Sequence, residues 1–251
     1  MTRHPAPIKL EVCVDNVQGL SAAIAGGADR IELCAALETG GLTPSVGLLN
    51  VAVASTVPVV AMIRPRGGPF HFDAVEVDQM LNEIDSVAKV GLQGVVLGAS
   101  LLSGELDLAT LERLIRRAHD HKLTATLHRA IDLCPDIALA TRQAIDLGFE
   151  RILTSGGAPA ALQGINGLQR CFDAADGRIT IMPGAGIGPD NVGRLLERLP
   201  LSEVHASCTV PAAAGSRQEL AFGFDSPARR QTSTARVAAL KAALARRLPR
   251  H

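Results

Sequence analysis

The sequence predicts an α/β chain folded as a TIM-type (β/α)8 barrel, and three observations carry that prediction. Eight short β-prone runs recur, starting near Ile8, Ala28, Val57, Gly94, Leu123, Arg151, Ile179 and Glu203. Their spacings are 20, 29, 37, 29, 28, 28 and 24 residues, each enough for one strand, one helix and two loops. Most runs break into polar residues or glycine at their C-terminal ends, the rim where barrels of this kind carry their chemistry. Nothing in the even alternation looks like a linker, so residues 1–251 read as one domain, with 209–231 as an irregular loop before the last helix.

Taken in order, Lys9 to Val14 alternates apolar and polar residues and forms strand one, followed by a helix from Val17 to Ala25 that Gly26-Gly27 stops. Strand two is Arg30 to Cys34. The Gly/Pro-rich loop from Thr39 to Ser45 then leads to a helix capped by Thr43 or Ser45. Strand three, Val57 to Arg64, opens into Pro65-Arg66-Gly67-Gly68-Pro69, which cannot be helical. The helix Asp73–Gly91 carries Val77, Met80, Leu81, Ile84, Val87 and Ala88 at helical period.

Strand four is Val95 to Leu97, and the helix after it, Asp107 to His121, should bury Leu108, Leu111, Leu114 and Ile115. Strand five, Thr124 to His128, leads into Arg129-Ala130-Ile131-Asp132, and a helix begun by Pro135 or Asp136 ends at Gly148. Strand six is Arg151 to Thr154, strand seven Ile179 to Met182 and strand eight Glu203 to Ser207. A last helix, capped at Thr232 or Ser233, covers the barrel with Val237, Leu240, Leu244 and Leu248.

Composition narrows the partners. The 25 basic and 25 acidic residues cancel, so no strong field draws nucleic acid or an anionic membrane. The short basic tail Arg246-Arg247-Leu248-Pro249-Arg250 reads as a solvated helix end. No run of about 18 uncharged apolar residues occurs and Met1 to Pro5 is no signal peptide, which predicts a cytoplasmic protein. Five cysteines without CxxC spacing suggest neither a disulfide framework nor a zinc ribbon. No organic cofactor motif is present.

Successive strand residues point to opposite faces. Glu11 therefore shares a face with Cys13, Glu32 with Cys34, Met62 with Arg64, Thr126 with His128 and His205 with Ser207, while Val12 and Leu33 face the helices. Glu11, Glu32, Arg64, His128, Asp132 and His205 then form a candidate catalytic rim. Arg64 would hold a carboxylate or phosphate, and the carboxylates would share proton transfer with His128. The competing reading is a layer of ion pairs, with Glu11 and Glu32 balanced by Arg30, Arg64 or Arg129.

Candidate ligand-binding residues are Arg66, Ser155, Gly184, Gly186 and Ser207, since glycine turns after strands six and seven present backbone N–H groups near helix starts. Cys13 and Cys34 sit two residues beyond matching glutamates. They read either as soft-metal ligands, for instance to Cu(I), or as small buried hydrophobes. Cys134, Cys171 and Cys208 read as packing residues, and His71, His119 and His121 as solvated ones.

The blocks Glu11 to Asp15, Gly27 to Cys34, Gly40 to Ser45, Ile63 to Gly68, His128 to Asp132, Leu153 to Gly156, Pro183 to Gly186 and Glu203 to Ser207 together resemble the CutC copper homeostasis family, in family order. The resemblance implies a cytosolic TIM-type barrel, a homodimer or higher homo-oligomer, and Cu(I) held by Cys13 and Cys34. After Ser207 the chain departs from the family's usual Tyr-bearing pattern. Two functions stay open: a Cu(I)-binding homeostasis protein, or an enzyme acting on a small anionic or sugar-like, and in one version phosphorylated, metabolite.

Overall fold

Each β-prone run forms a strand in the computed structural model, which describes residues 7–246. The strands are β1 (Lys9–Val14), β2 (Arg30–Leu33), β3 (Val59–Met62), β4 (Gly94–Leu97), β5 (Thr124–Leu127), β6 (Arg151–Thr154), β7 (Thr180–Pro183) and β8 (Glu203–Ala206). They pair in parallel in the order β7-β6-β5-β4-β3-β2-β1-β8, and β7 lies against β8 without a regular ladder, so the barrel is nearly closed. The helices alternating with them are α1 (Val17–Ala25), α2 (Val46–Ala52), α3 (Ala74–Val90), α4 (Leu108–Asp120), α5 (Ile137–Leu147), α6 (Ile165–Ala175) and α7 (Val192–Leu196). No helix among the described residues is long and apolar enough to cross a membrane.

Helix limits follow local chemistry. The side chains of Asn16, Ser45, Asp73, Asp107 and Asp136 each accept from a backbone N–H of the first turn, which satisfies donors that have no partner inside the helix. Ser45, not Thr43, caps α2. The Thr43 hydroxyl instead donates to Glu83 at 2.7 Å and accepts from the Arg64 amide at 2.8 Å. One core expectation fails: Leu108 opens α4 at 39% exposure, and Ala118 takes the buried position one turn beyond Leu114.

Strand parity splits the apolar residues into two bodies. Val12, Leu33, Ala61, Val95 and Leu127 belong to the large core between sheet and helices. Cys34, Val60, Met62 and Val96 form a small separate cluster inside the barrel. Residues of opposite parity on the same strands therefore face different surroundings, as the pleat requires.

The stretch read as irregular, 209–231, is partly ordered. It holds β9 (Thr209–Pro211), α8 (Arg217–Ala221) and β10 (Arg230–Thr232), with β9 and β10 paired antiparallel. Its strands are only three residues each, too short to leave a readable period. Ser233 caps α9 (Thr234–Ala245), which buries Val237, Leu240 and Leu244; Leu248, the rest of the basic tail beyond Arg246, and Met1 to Pro5 lie outside the described residues.

Candidate functional site at the mouth of the barrel

Register brings the first charged group together. Glu11 stands opposite Arg30 on one side and His205 on the other, and Cys13 stands opposite Glu32. Arg30 is buried and donates from Nε to Glu11 and from a terminal nitrogen to Glu203; Arg151 Nε donates to the same Glu203 carboxylate at 3.0 Å. A buried carboxylate is costly unless paired, and here both are. Of the cations expected to balance Glu11, Arg30 does so, Arg64 does not, and Arg129 instead pairs with Asp132 at 2.8 Å.

Above that layer His205 Nδ1 donates to Glu11 Oε1 at 2.8 Å, and its Nε2 lies 3.7 Å from Glu32. Burial works against the Glu11 carboxylate, yet the His205 and Arg30 contacts outweigh it and hold its pKa at about 2. Burial also opposes charge on His205, but Cys13, Glu32 and Glu11 raise its pKa well above the ordinary value. Glu32 is pushed up to about 7, by burial first, against the pull of His205 and with the push of Glu11. One of its oxygens, Oε1, is buried without a hydrogen-bond partner.

Ligand atoms of Cys13, Glu32 and His205 all lie within 4.8 Å of one another. Cys34, expected beside Cys13, is fully buried outside that trio; burial, then the charges of Glu32 and Cys13, push its thiol well above the ordinary value. The five cysteines are all free thiols.

Across the barrel stands a second group. The Arg64 guanidinium donates to the carbonyls of Thr39 (3.0 Å), Gly41 (3.0 Å) and Gly68 (2.8 Å), and its Nε is buried without a partner. It lies 4.9 Å from the Phe70 ring centre, and Phe70 lies 4.7 Å from the His128 ring. The Ala130 amide donates to His128 Nδ1 at 3.1 Å. Burial first, then the positive charge of Arg64, lowers the His128 pKa to about 3, so the ring is neutral and carries its hydrogen on Nε2. A Cβ on Gly98 would sit 2.5 Å from the His128 ring, so glycine is needed for the ring to lie where it does.

Other expected site residues serve the loops. Asp132 accepts from Thr154 Oγ1 (2.6 Å), the Ser155 amide (3.0 Å) and hydroxyl (2.8 Å), the Gly157 amide (3.0 Å) and Arg129. The strand-six turn therefore directs these donors inward to Asp132. Ser155 Oγ also lies against Ala158 O, so its single hydrogen is shared between that carbonyl and Asp132. Arg66 is tied to Glu76 and to the carbonyls of Pro69 and His71. Gly184 packs beside His205 and Leu153, Gly186 adopts φ of +71°, and Ser207 Oγ lies 3.3 Å from Thr209 Oγ1. Ala36, Ala185 and Cys208, just past the ends of β2, β7 and β8, hold positive φ without being glycine. Such backbone strain, of order 1–3 kcal/mol per residue, persists only where surroundings enforce it.

Sequence reasoning missed Glu203 and Arg151, which open β8 and β6 in the charged layer beneath, and Phe70 and Gly98 at the mouth. Glu203 was legible by parity, since it lies two residues before His205 as Arg30 lies two before Glu32. Phe70 sits in an irregular loop where no period applies.

The chain matches the CutC family over residues 8–210. It is 51% identical over 237 residues to a family protein CutC of Rhizobium meliloti (strain 1021), covering 94% of this chain and 96% of that one. It is 48% identical over 233 residues to another of Caulobacter vibrioides (strain NA1000 / CB15N), covering 92% and 94%. The crystal structure of CutC from Streptococcus agalactiae, which carries a provisional copper homeostasis name, superposes with a TM-score of 0.75 at 28% identity over 80% of this chain and 98% of that one. A thiamine phosphate pyrophosphorylase from Pyrococcus furiosus, at 15% identity and a TM-score of 0.59, shares the fold alone. With the family's blocks in place from β1 to β8 and its barrel around them, the chain belongs to the CutC family.

Proposed function

We propose that the chain handles copper, taking Cu(I) at Cys13 and His205, with Glu32 and Cys34 beside them. One observation carries this reading: the Glu11–His205 hydrogen bond. Metal-binding histidines donate their second ring nitrogen to a carboxylate, which fixes the tautomer and aims the free nitrogen at the metal. Here Nδ1 is held by Glu11, Glu11 is held by Arg30, and Nε2 is left facing Cys13 and Glu32. Thiol and imidazole suit a soft ion. The provisional name of the Streptococcus agalactiae relative adds support of the same kind.

Competition with a Cu(I) chelator is the test. We expect about one Cu(I) per chain, lost in Cys13→Ser/Cys34→Ser, and a ~10–100-fold weaker affinity in Glu11→Gln. Copper uptake unchanged in the double variant sinks the reading. The family resemblance also implies a cytosolic homodimer or higher homo-oligomer, which light scattering on the purified chain and fractionation of the source cells would test.

A second reading is an enzyme acting on a small anionic or sugar-like metabolite. Glu32 favours it, since a carboxyl near 7 beside His205 is placed for acid–base exchange at neutral pH. Proton NMR of the chain with a panel of sugars, sugar phosphates and small acids should show product signals that Glu32→Gln removes. A panel left unchanged by the wild-type chain ends this reading.

A further inference from the structure

Arg64 and His128 share a layer of the barrel. Met62 stands beside Val96 and Val96 beside Thr126, so two residues further on Arg64, Gly98 and His128 follow one another across neighbouring strands. Gly98 has no side chain, and the His128 ring lies against it. Phe70 contacts both Arg64 and His128 and walls the layer on one side.

Two features of this layer are unresolved by the protein itself. Arg64 is 5% exposed, and among the described residues no carboxylate pairs with it; its guanidinium hydrogen-bonds three backbone carbonyls and lies over the Phe70 ring. Two buried donors have no acceptor, Arg64 Nε–H and His128 Nε2–H, and the Thr126 hydroxyl one layer below is also unpartnered. Buried charges are normally paired and buried donors normally bonded.

We propose that Arg64 and His128 bind the carboxylate of a small organic acid in the barrel mouth, the cation supplying charge and each residue one N–H. The terminal nitrogens of Arg64 are already used, so the arginine offers a single N–H instead of a bidentate fork. A carboxylate has two oxygens to match two donors; a phosphate would bring a third oxygen and more charge. A neutral imidazole that donates from Nε2 suits an acceptor oxygen and adds no second positive charge beside Arg64. This deepens the enzyme reading by naming its substrate class. Binding without turnover would end that reading and leave this one standing.

The test uses the full chain in chelator-treated buffer, titrated with sodium acetate, sodium pyruvate and inorganic phosphate against sodium chloride at matched ionic strength. Calorimetry reads affinity, and the 15N shift of His128 Nε2 reads the site. We expect saturable carboxylate binding that moves the Nε2 resonance, and no binding in Arg64→Gln. Because Arg64 also ties loop carbonyls, His128→Asn decides: its Oδ1 can still accept from Ala130, and affinity should fall at least tenfold. Carboxylates that act no differently from chloride, phosphate that binds more tightly than either acid, or wild-type affinity in His128→Asn would each overturn the proposal. An ordered water satisfying the two donors gives the first of these results.

Discussion

The β1–β2–β8 side of the barrel and its β3–β4–β5 side treat buried charge in opposite ways. On the first, Arg30 joins Glu11 to Glu203, Arg151 joins the same Glu203, and His205 closes the chain onto Glu11. On the second, Arg64 has carbonyls but, among the described residues, no anion, and His128 is kept neutral. The contrast separates charge that holds the protein together from charge left available. A compensated network resists change, because removing one member orphans the others. An uncompensated cation loses little when removed and gains much when a ligand arrives.

Arginine removal should break the comparison or confirm it most strongly. Arg30→Met strips the shared cation from two buried carboxylates, and we expect a loss of about 3–5 kcal/mol by urea denaturation. Arg64→Met orphans carbonyl oxygens but no buried charge, so about 1–3 kcal/mol is expected. Equal losses in the two variants would show that the two sides do not differ. Gly98→Ala comes next: its Cβ would meet the His128 ring, and the forced shift should cost about 1–3 kcal/mol and displace the His128 NMR signals.

Acid titration sharpens the same contrast. With a folded pKa of about 3 against an ordinary 6.5, His128 binds fewer protons in the native state than when unfolded. Its contribution is present above pH 6.5 and is lost as pH falls from 6.5 towards 3. Glu11, lowered from 4.5 to about 2, loses its contribution lower down, between those two values. His205 has the opposite sign: its stabilisation is present below 6.5 and fades as pH rises through its raised folded pKa. Glu32, raised from 4.5 to about 7, contributes with the opposite sign over the same range as His128. His128→Asn should therefore lower the slope of melting temperature against pH between 4.5 and 6.5 and leave the Glu11-linked fall below 4.5; an unchanged upper slope would mean that His128 is not buried neutral. The smallest expected effect lies outside both sides. Ser233→Ala removes the cap of α9 and should lower stability by about 1 kcal/mol, within the range for such caps.

The fold was legible because its signals are periodic. Alternation in Lys9 to Val14 and helical spacing in Val77 to Val87 each report one buried face, and the caps at Asp73 and Asp136 report where chains of N–H groups need acceptors. Parity was also enough to bring Glu11, Glu32 and His205 to one place, since β1 and β2 lie side by side and β8 flanks β1. It could not tell that Asp132 would gather a turn's worth of donors, because that depends on two loops meeting. Nor could it choose between Arg30, Arg64 and Arg129 as the partner of Glu11: residue type was the same, and only register distinguishes them. Leu108 illustrates the limit at helix ends, where one residue of offset moves a side chain out of the core.

The excursion after β8 enters and leaves the barrel at a single neck, where the Ser233 amide donates to Cys208 O at 3.0 Å and Thr209 pairs with Thr232. Closing a loop becomes only about 0.6 kcal/mol harder for each doubling of its length. The neck, and not the number of residues beyond it, sets what the barrel must supply. This outer segment can thus be lengthened, shortened or rewritten while the interior register stays as it is, which makes it the natural place for inserting a tag.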